Sequence, residues 1–483
     1  MLSMSRTFII IFWGTFAALL LLRIIFIGTT MVVDDEAYYL IYARHLAWSY
    51  IDHGPVIGWM IKLTTMLFGE NGFGIRVGGV TMITILAIVL YRFGKKHFNT
   101  PTGVMLSLTI MVNMLTHVNS IIMTPDVPLA FFGILAVMMY YRAFFENRRH
   151  FLIAGALLGF ALLSKISALF PAAALFLFPI VSREHRGFLK DPYFYLSFVV
   201  ALIVLAPFII WNMLNDFAFF RYQGSNVARA GNLKSFVELW TGLALVLGPF
   251  FFFYAFVVPF RTLWRKIEGE TWQLFFGLVA VVPLLYFIAH SFFSRLELNW
   301  AAPAYIGGVF LFGIILGTSW PRLRWIFAWQ MGYSLLLIFA VTLHTYKPWL
   351  PINERNDVTN RYYEYNSFRE KLPGLLRKHS EGSIRRIAGN NYQIPSMINL
   401  YSEQPLEAVC LSIGYHETVY GFHYPDSTLI GEDLILVIEG EEIPAHLQKH
   451  FESHTQLGLI ESKRDEKIVR TYSVWLADDY RGK

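Results

Sequence analysis

Three consecutive carboxylates, Asp34, Asp35 and Glu36, directly follow the first long apolar run of the chain. Adjacent carboxylates repel one another, so the ionised form of at least one is disfavoured unless a cation or a hydrogen-bond donor compensates. Such a group suits a general base that acts beside a lipid-linked substrate. Aspartate is also preferred at helix N-termini, so the residues alone leave a capping role open.

A second polar pair, Asp52 and His53, precedes a Gly-Pro break. An imidazole at this place could donate a hydrogen bond to phosphate or bind a metal. No tight spacing of further ligands supports a metal site, so no cofactor is predicted with certainty, and a divalent metal at the outer face stays an open alternative.

Five more polar residues stand near the ends of apolar runs: Asp126, Lys165, Arg295, Glu297 and Asn299. The two cations could bind a phosphate group, and the other three could line a polar cavity. Each also has a simpler interpretation. Asp126 could start a helix, Lys165 could extend to lipid headgroups, and Arg295 could pair with Glu297.

These motifs together resemble one glycosyltransferase superfamily. Residues 34–39 (D-D-E-A-Y-Y) and 50–55 (Y-I-D-H-G-P) resemble the first outer loop of the dolichyl-phosphate-mannose protein mannosyltransferase and aminoarabinose transferase superfamily, which has the GT-C fold. Bacterial members usually read D-E-A-Y-Y and then Y-x-D-H-P-P. Asp34 is therefore an addition, and Gly54 replaces a proline, which predicts a looser turn.

Three later segments carry the same resemblance. Residues 124–126 are similar to the T-P-D loop of the superfamily, residues 162–165 to its L-L-S-K sequence, and residues 297–303 to its E-x-N-W-x-A-P signature. The resemblance implies inverting transfer of a sugar from a polyprenyl-phosphate carrier, with Asp35 as the general base. It implies catalytic roles for Asp35, Glu36 and Asp126, and substrate-binding roles for Asp34, Asp52, His53, Lys165, Arg295, Glu297 and Asn299.

The elements that must position these residues are mostly membrane helices. The 483 residues are 55% hydrophobic and 15% charged, whereas soluble proteins carry about 25% charged residues. A membrane-spanning helix needs roughly 20 apolar residues. Eleven segments are predicted to span: 7–30, 76–94, 101–122, 127–145, 150–165, 167–182, 193–213, 236–258, 271–290, 302–318 and 325–344.

The charge balance predicts two domains. Residues 1–346 hold 24 basic and 14 acidic side chains, and residues 347–483 hold 16 and 20. We therefore expect a transmembrane domain over 1–346 and a small α/β domain over 347–483. Within the latter, the pattern predicts strands at 384–389, 407–412 and 433–438 and helices at 366–379 and 393–402. The first outer loop is too polar to span, and two amphipathic interfacial helices are predicted there.

Loop charges predict the orientation of the protein. With the N-terminus in the cytoplasm, fifteen basic residues fall on the cytoplasmic side and nine on the opposite side, as the positive-inside rule requires. An odd number of spans then places residues 347–483 outside. We expect a multi-pass protein of the bacterial inner membrane, with its active site and C-terminal domain in the periplasm. The single cysteine, Cys410, excludes an internal disulfide.

Several functions remain open at this stage. The favoured acceptor is lipid A, lipopolysaccharide or another glycolipid, because the C-terminal domain is small. A protein O-glycosyl(mannosyl)transferase is the main alternative, followed by an enzyme that remodels the carrier lipid and by a transporter or flippase, which lacks support from any clear internal repeat. The predicted partners are the donor, the acceptor and membrane lipids. No nucleic acid is expected, since the basic residues lie in short loops and form no aromatic-flanked stripe.

Overall fold

A computed structural model of the protein describes residues 5–226, 233–264, 271–379, 385–402 and 406–483. The chain forms two compact units. The membrane unit comprises Met1–Phe26, His53–Ile57 and Arg76–Ala340, and the C-terminal unit comprises Ile27–Asp52, Gly58–Ile75 and Val341–Lys483. The first outer loop therefore belongs largely to the C-terminal unit, although its motif is more than 300 residues from the tail in sequence.

Most of the described residues are helical. The α-helices are, in chain order, α1 Arg6–Thr29, α2 Asp34–Arg44, α3 Val56–Phe68, α4 Gly72–His97, α5 Thr100–Val112, α6 Met114–Ile121, α7 Asp126–Phe145, α8 His150–Ser164, α9 Leu169–Val181, α10 Pro192–Leu214, α11 Ala218–Asn226, α12 Leu233–Leu247, α13 Pro249–Phe256, α14 Val258–Trp264, α15 Thr271–Phe293, α16 Ala302–Thr318, α17 Arg324–Tyr346, α18 Phe368–His379, α19 Gln393–Tyr401, α20 Val419–His423 and α21 Ala445–Gln448.

All eleven predicted apolar segments are helical, but they differ in length and shape. Seven helices in the described ranges are long and apolar enough to cross a bilayer, and the number rises to nine if each of two bent pairs is one span. The segments predicted at 150–165 and 167–182 form the shorter helices α8 and α9, of 15 and 13 residues. The chain is thus a multi-pass membrane protein in which some apolar helices fall short of a full span.

Both bends are stabilised by a side-chain amide. Between α5 and α6 the chain turns by 58°, and the Asn113 carboxamide oxygen accepts from the backbone N–H groups of Leu115 and Thr116. At Gly248, between α12 and α13, the turn is 118°, so the apolar segment predicted to span at 236–258 is a bent pair of helices. Buried Gln330 donates to the Leu247 carbonyl and accepts from the Phe251 N–H. Freed backbone groups within a membrane require such partners.

Helix α2 differs from the interfacial helix that its sequence predicts. Its residues Glu36–Ala43 are all buried, and the helix packs against α19 within the C-terminal unit. Helix α3, in contrast, exposes Leu63, Met66 and Leu67 and keeps the amphipathic pattern. The tyrosines of α2 are compatible with both environments, because tyrosine suits a membrane interface and a protein core equally.

The C-terminal unit contains a five-stranded sheet in the order β2-β1-β3-β5-β4. Its strands are β1 Arg386–Gly389, β2 Val409–Cys410, β3 Leu434–Glu439, β4 Ser453–Arg464 and β5 Lys467–Asp478. Strand β1 is parallel to β2 and β3, and the other pairs are antiparallel. The three predicted strands are present, whereas the β4–β5 hairpin was missed.

Candidate active site

The three carboxylates form the first turn of α2. This position is electrostatically favourable, because the N-terminus of a helix carries partial positive charge. Glu36 is fully buried, and its carboxylate accepts a hydrogen bond from the backbone N–H of Val33 at 3.1 Å. That contact satisfies a free donor at the helix start. Glu36 therefore caps the helix, and its predicted catalytic role stays a prediction.

Asp34 and Asp35 share one guanidinium that sequence analysis missed. Arg361 Nη2 lies 2.5 Å from Asp34 Oδ1 and 2.8 Å from Asp35 Oδ2. The Asp34 side chain is 14% exposed and that of Asp35 is 34% exposed. Asp35 is thus the more accessible of the two carboxylates, as its assignment as the reacting group requires.

Tyr392, immediately before α19, holds the second oxygen of Asp35. Its hydroxyl donates to Asp35 Oδ1 at 2.9 Å, and its ring lies 4.3 Å from that of Tyr38, centroid to centroid. Burial and the nearby Asp35 carboxylate raise the pKa of Tyr392. The phenol therefore keeps its proton and remains a donor at every physiological pH.

The shared guanidinium affects the ionisation of the carboxylate group. Burial and the adjacent Asp35 raise the pKa of Asp34, and this effect is opposed by Arg361. Burial lowers the pKa of Arg361, but the two carboxylates more than compensate and raise it overall. Arg361 is therefore a permanent cation beside two acids.

Asp52 also belongs to the C-terminal unit. The Tyr42 hydroxyl donates to Asp52 Oδ1. The Tyr42 ring stacks on that of Tyr50 at 3.7 Å, and the Tyr50 hydroxyl donates to the Tyr42 carbonyl at 2.8 Å. Asp52 is half-buried, and its contact with Tyr42 ties the end of the first loop to α2.

A second polar group lies in the membrane unit. Asp126 begins α7, Lys165 follows α8, and Asn299 lies in the 3₁₀ turn Leu298–Ala301. Lys165 Nζ is 2.7 Å from Asp126 Oδ1, and Asn299 Nδ2 donates to Asp126 Oδ2 at 2.8 Å. The Asp126 side chain is 3% exposed and that of Lys165 is 17% exposed. Three motifs that are far apart in sequence thus meet at one carboxylate.

Gly54 permits a close approach to this region, in contrast to the looser turn predicted from the missing proline. A Cβ atom at Gly54 would lie 1.8 Å from the Leu163 carbonyl oxygen. The loop containing His53 therefore packs directly against the backbone two residues before Lys165. His53 is half-buried, and its role in phosphate binding stays a prediction.

Arg295 and Glu297 are exposed. The predicted alternative in which they pair with each other is wrong, because no ion pair joins them in the structure. Both side chains remain accessible from solvent or from the headgroup region, and their substrate-binding roles stay predictions. Within the described ranges, no group of three or more His, Cys, Asp and Glu residues is arranged to hold a metal ion.

One third of the sequence matches a known family. Residues 52–211 match the model of the dolichyl-phosphate-mannose-protein mannosyltransferase family. The chain is also 26% identical over 328 residues to the lipid A galacturonosyltransferase RgtD of Rhizobium johnstonii. That alignment covers 66% of this chain and 67% of the relative.

Solved structures extend the similarity to the whole chain. ArnT from Cupriavidus metallidurans in the apo state gives a TM-score of 0.67 at 15% identity and covers 98% of both chains. The same protein bound to undecaprenyl phosphate gives 0.66. The archaeal oligosaccharyltransferase AglB from Archaeoglobus fulgidus gives 0.52 at 11% identity and covers 90% of this chain and 70% of that one. These comparisons confirm the resemblance to the GT-C fold glycosyltransferases and the predicted fold class.

Proposed function

We propose that this protein transfers a sugar from a polyprenyl-phosphate donor of the undecaprenyl type to lipid A, lipopolysaccharide or a related glycolipid, at the outer face of the bacterial inner membrane. The observation that carries the proposal is the geometry of Asp35. Its two oxygens are held by Arg361 and Tyr392, and one third of its side chain remains exposed. A carboxylate fixed in this way suits the positioning of an acceptor nucleophile.

The proposed reaction is a single displacement. An acceptor oxygen attacks the anomeric carbon of the donor and forms the new glycosidic bond. The bond from that carbon to the phosphate oxygen breaks, and its electron pair leaves with polyprenyl phosphate. Asp35 accepts the proton of a hydroxyl acceptor, or orients an acceptor that is already anionic. The configuration at the anomeric carbon is inverted.

The membrane unit supplies the proposed binding groups for the leaving phosphate. Lys165 and Arg295 carry the cations, and neutralising charge that develops in the transition state is usually the largest catalytic contribution. Asp126 is too deeply buried and too well paired to exchange protons readily with an acceptor. Its proposed role is to position Lys165 and Asn299.

Two relatives support the substrate classes. RgtD is a lipid A galacturonosyltransferase, which supports a glycolipid acceptor. The solved structure of ArnT with undecaprenyl phosphate supports a polyprenyl-phosphate donor. The description of the matching family names a protein acceptor instead, so a protein acceptor is the second candidate.

The acceptor is tested by mass spectrometry of lipid A, core and glycoprotein fractions from cells with and without the gene. The proposal expects a mass difference of one sugar in lipid A or core. A difference confined to glycoproteins would move the protein to the O-glycosyltransferase class. No difference in any fraction, with the gene expressed, would overturn the proposal in favour of carrier-lipid or transport functions.

The role of Asp35 is tested with Asp35→Asn. This variant should lose transfer by at least about 100-fold, the lower end of general acid–base contributions, while it still accumulates in the membrane. The matched control is Glu70→Gln, which changes an exposed carboxylate that pairs with Arg44, and it should keep wild-type transfer. Wild-type turnover by purified Asp35→Asn would remove Asp35 from the mechanism.

A further inference from the structure

Asp35 is held by residues that come from the tail of the chain. Arg361 and Tyr392 lie 326 and 357 positions after it. Neither Arg361 nor Tyr392 lies in any of the segments that resemble the glycosyltransferase superfamily. They contact different oxygens of the carboxylate, so together they fix the rotation of its plane, which neither contact would do alone.

We propose that Arg361 and Tyr392 are positioning residues for catalysis, which set the orientation of Asp35 from the C-terminal domain. The inference rests on the proposed function of Asp35. It assigns the tail a direct part in the reaction, in addition to any role in folding or acceptor binding.

The turn that carries Arg361 is itself held rigidly. Arg361 lies in the 3₁₀ turn Val358–Tyr362. Arg464, whose side chain is 3% exposed, donates through Nη1 to Asp357 at 3.0 Å and to Asn360 at 2.7 Å. Through these contacts the buried Arg464 guanidinium fixes the backbone just before Arg361. An active site that keeps its side chains in a fixed geometry requires supporting contacts of this kind.

The base of this turn is also tied to the last membrane helix. The His344 ring pairs with Asp357 at 3.0 Å, and Arg464 Nη2 donates to the Thr345 carbonyl at 3.0 Å. Carbonyl groups at the end of a helix otherwise lack partners. The guanidinium of Arg361 therefore projects from a well-supported turn, as a positioning residue should.

The groups around the carboxylates predict a distinctive pH effect. Arg361 favours the ionised form of Asp34, whereas the neighbouring carboxylates disfavour it. Removal of the guanidinium should therefore raise the pKa of Asp34. Because a neutral Asp34 changes the charge beside Asp35, the acid limb of the pH–rate profile should shift to higher pH. Among the described residues, Glu364, Tyr365 and Tyr392 also face the pair, and Tyr39 faces Tyr392.

The test uses full-length protein in membrane vesicles. The lipid extract of the deletion strain serves as acceptor, the extract of the wild-type strain serves as donor source, and the sugar-modified product is followed by mass spectrometry from pH 5 to 8. Arg361→Gln should lower the initial rate by about 100-fold, as expected for a misplaced reacting group, and should move the acid limb upward. Arg361→Lys keeps the charge and should restore part of the rate and the position of that limb.

Tyr392→Phe provides a second, milder test in case Arg361→Gln does not fold. Loss of one neutral donor should lower the rate by up to about tenfold, with no change in thermal stability beyond that of the control. The control is Arg481→Gln, which removes an exposed arginine of the same unit that lies 4.0 Å from Asp479. This variant should match the wild type in rate and pH profile.

The outcomes separate the inference from the proposed function. Wild-type rates and pH profiles in both Arg361→Gln and Tyr392→Phe, with Asp35→Asn inactive, would overturn the positioning role and leave the transferase intact. If the wild-type protein forms no sugar-modified product from these extracts, the proposed function fails and the inference fails with it.

Discussion

At the scale of single residues, Asp126 and Asp35 each lie beside a cation from a distant part of the sequence. Asp126 meets Lys165, 39 residues later, and Asn299, 173 residues later. Asp35 meets Arg361. A half-buried or buried carboxylate needs such compensation, because transfer of an unpaired charge from water is very costly. This requirement predicts that each carboxylate has a compensating partner, whereas the fold decides which residue that partner is.

The Asp126–Lys165 pair gives a prediction about stability. Lys165→Met should destabilise the protein by about 3 kcal/mol, because it leaves the buried Asp126 carboxylate without its cation. The double variant Asp126→Asn/Lys165→Met should recover most of this loss. Thermal unfolding in detergent measures both changes. A double variant less stable than Lys165→Met alone would show that the charge pair is not the origin of the effect.

Sequence analysis located the carboxylates but not the tail residues that contact them. Asp34 and Asp35 stand out because three adjacent acids beside an apolar run are unusual, and the motif resemblance singled out Asp126, Lys165 and Asn299. Arg361 carries no comparable signal, since a single arginine in a charged tail has many ordinary uses. The need for a cation near Asp34 and Asp35 was predictable from their repulsion, whereas its place in the chain was not.

At the scale of elements, the length of each apolar segment predicted the helices. The predictions failed where local backbone geometry bends or reverses the chain. The break at Gly248 requires a φ of +82°, which glycine adopts without strain, but glycine is also common in straight membrane helices. The β4–β5 hairpin escaped notice because its turn is Asp465-Glu466, both with positive φ, where such turns usually carry Asn-Gly. The β-branched and aromatic residues in 467–478 were the available signal.

The loop at Gly54 gives a prediction for one element. Gly54→Ala should destabilise the membrane unit by about 2 kcal/mol, as expected for an atom forced into a packed site, because its Cβ would overlap the Leu163 carbonyl. Thermal unfolding of the purified variant checks this. Gly14→Ala is the control, since a Cβ there meets nothing within 4 Å. Equal stability of the two variants would mean that the loop relaxes without cost.

At the scale of the whole molecule, the sequence predicted the membrane class and the resemblance predicted the fold, whereas the division of the chain into units was not foreseen. The expected boundary at residue 346 follows composition, because charge content changes there. The compact units follow contacts instead, and they assign residues 27–52 and 58–75 to the same unit as the tail. Composition does not reveal such long-range packing, because the aromatic and small residues that are buried in α2 also occur in membrane segments.

The proposed orientation gives a prediction that the single cysteine makes easy to check. Cys410 is buried, so the wild-type protein should react little with a membrane-impermeant maleimide. Glu442→Cys, at an exposed site in the tail, should label in intact spheroplasts. Gly187→Cys, at an exposed site between α9 and α10, should label only after lysis. The reverse pattern would invert the proposed topology.

The separation of Asp35 from Arg361 also has a consequence for biosynthesis. The ribosome makes the carboxylate first and must add 326 more residues before the guanidinium exists. At roughly 5–20 residues per second, this interval lasts on the order of 20–60 seconds. During this interval the acidic start of α2 lacks the Arg361 cation, while the membrane helices are already being inserted. A nascent chain that ends before Arg361 and Tyr392 therefore contains Asp35 without either partner, and we expect no transfer activity until both residues have been made.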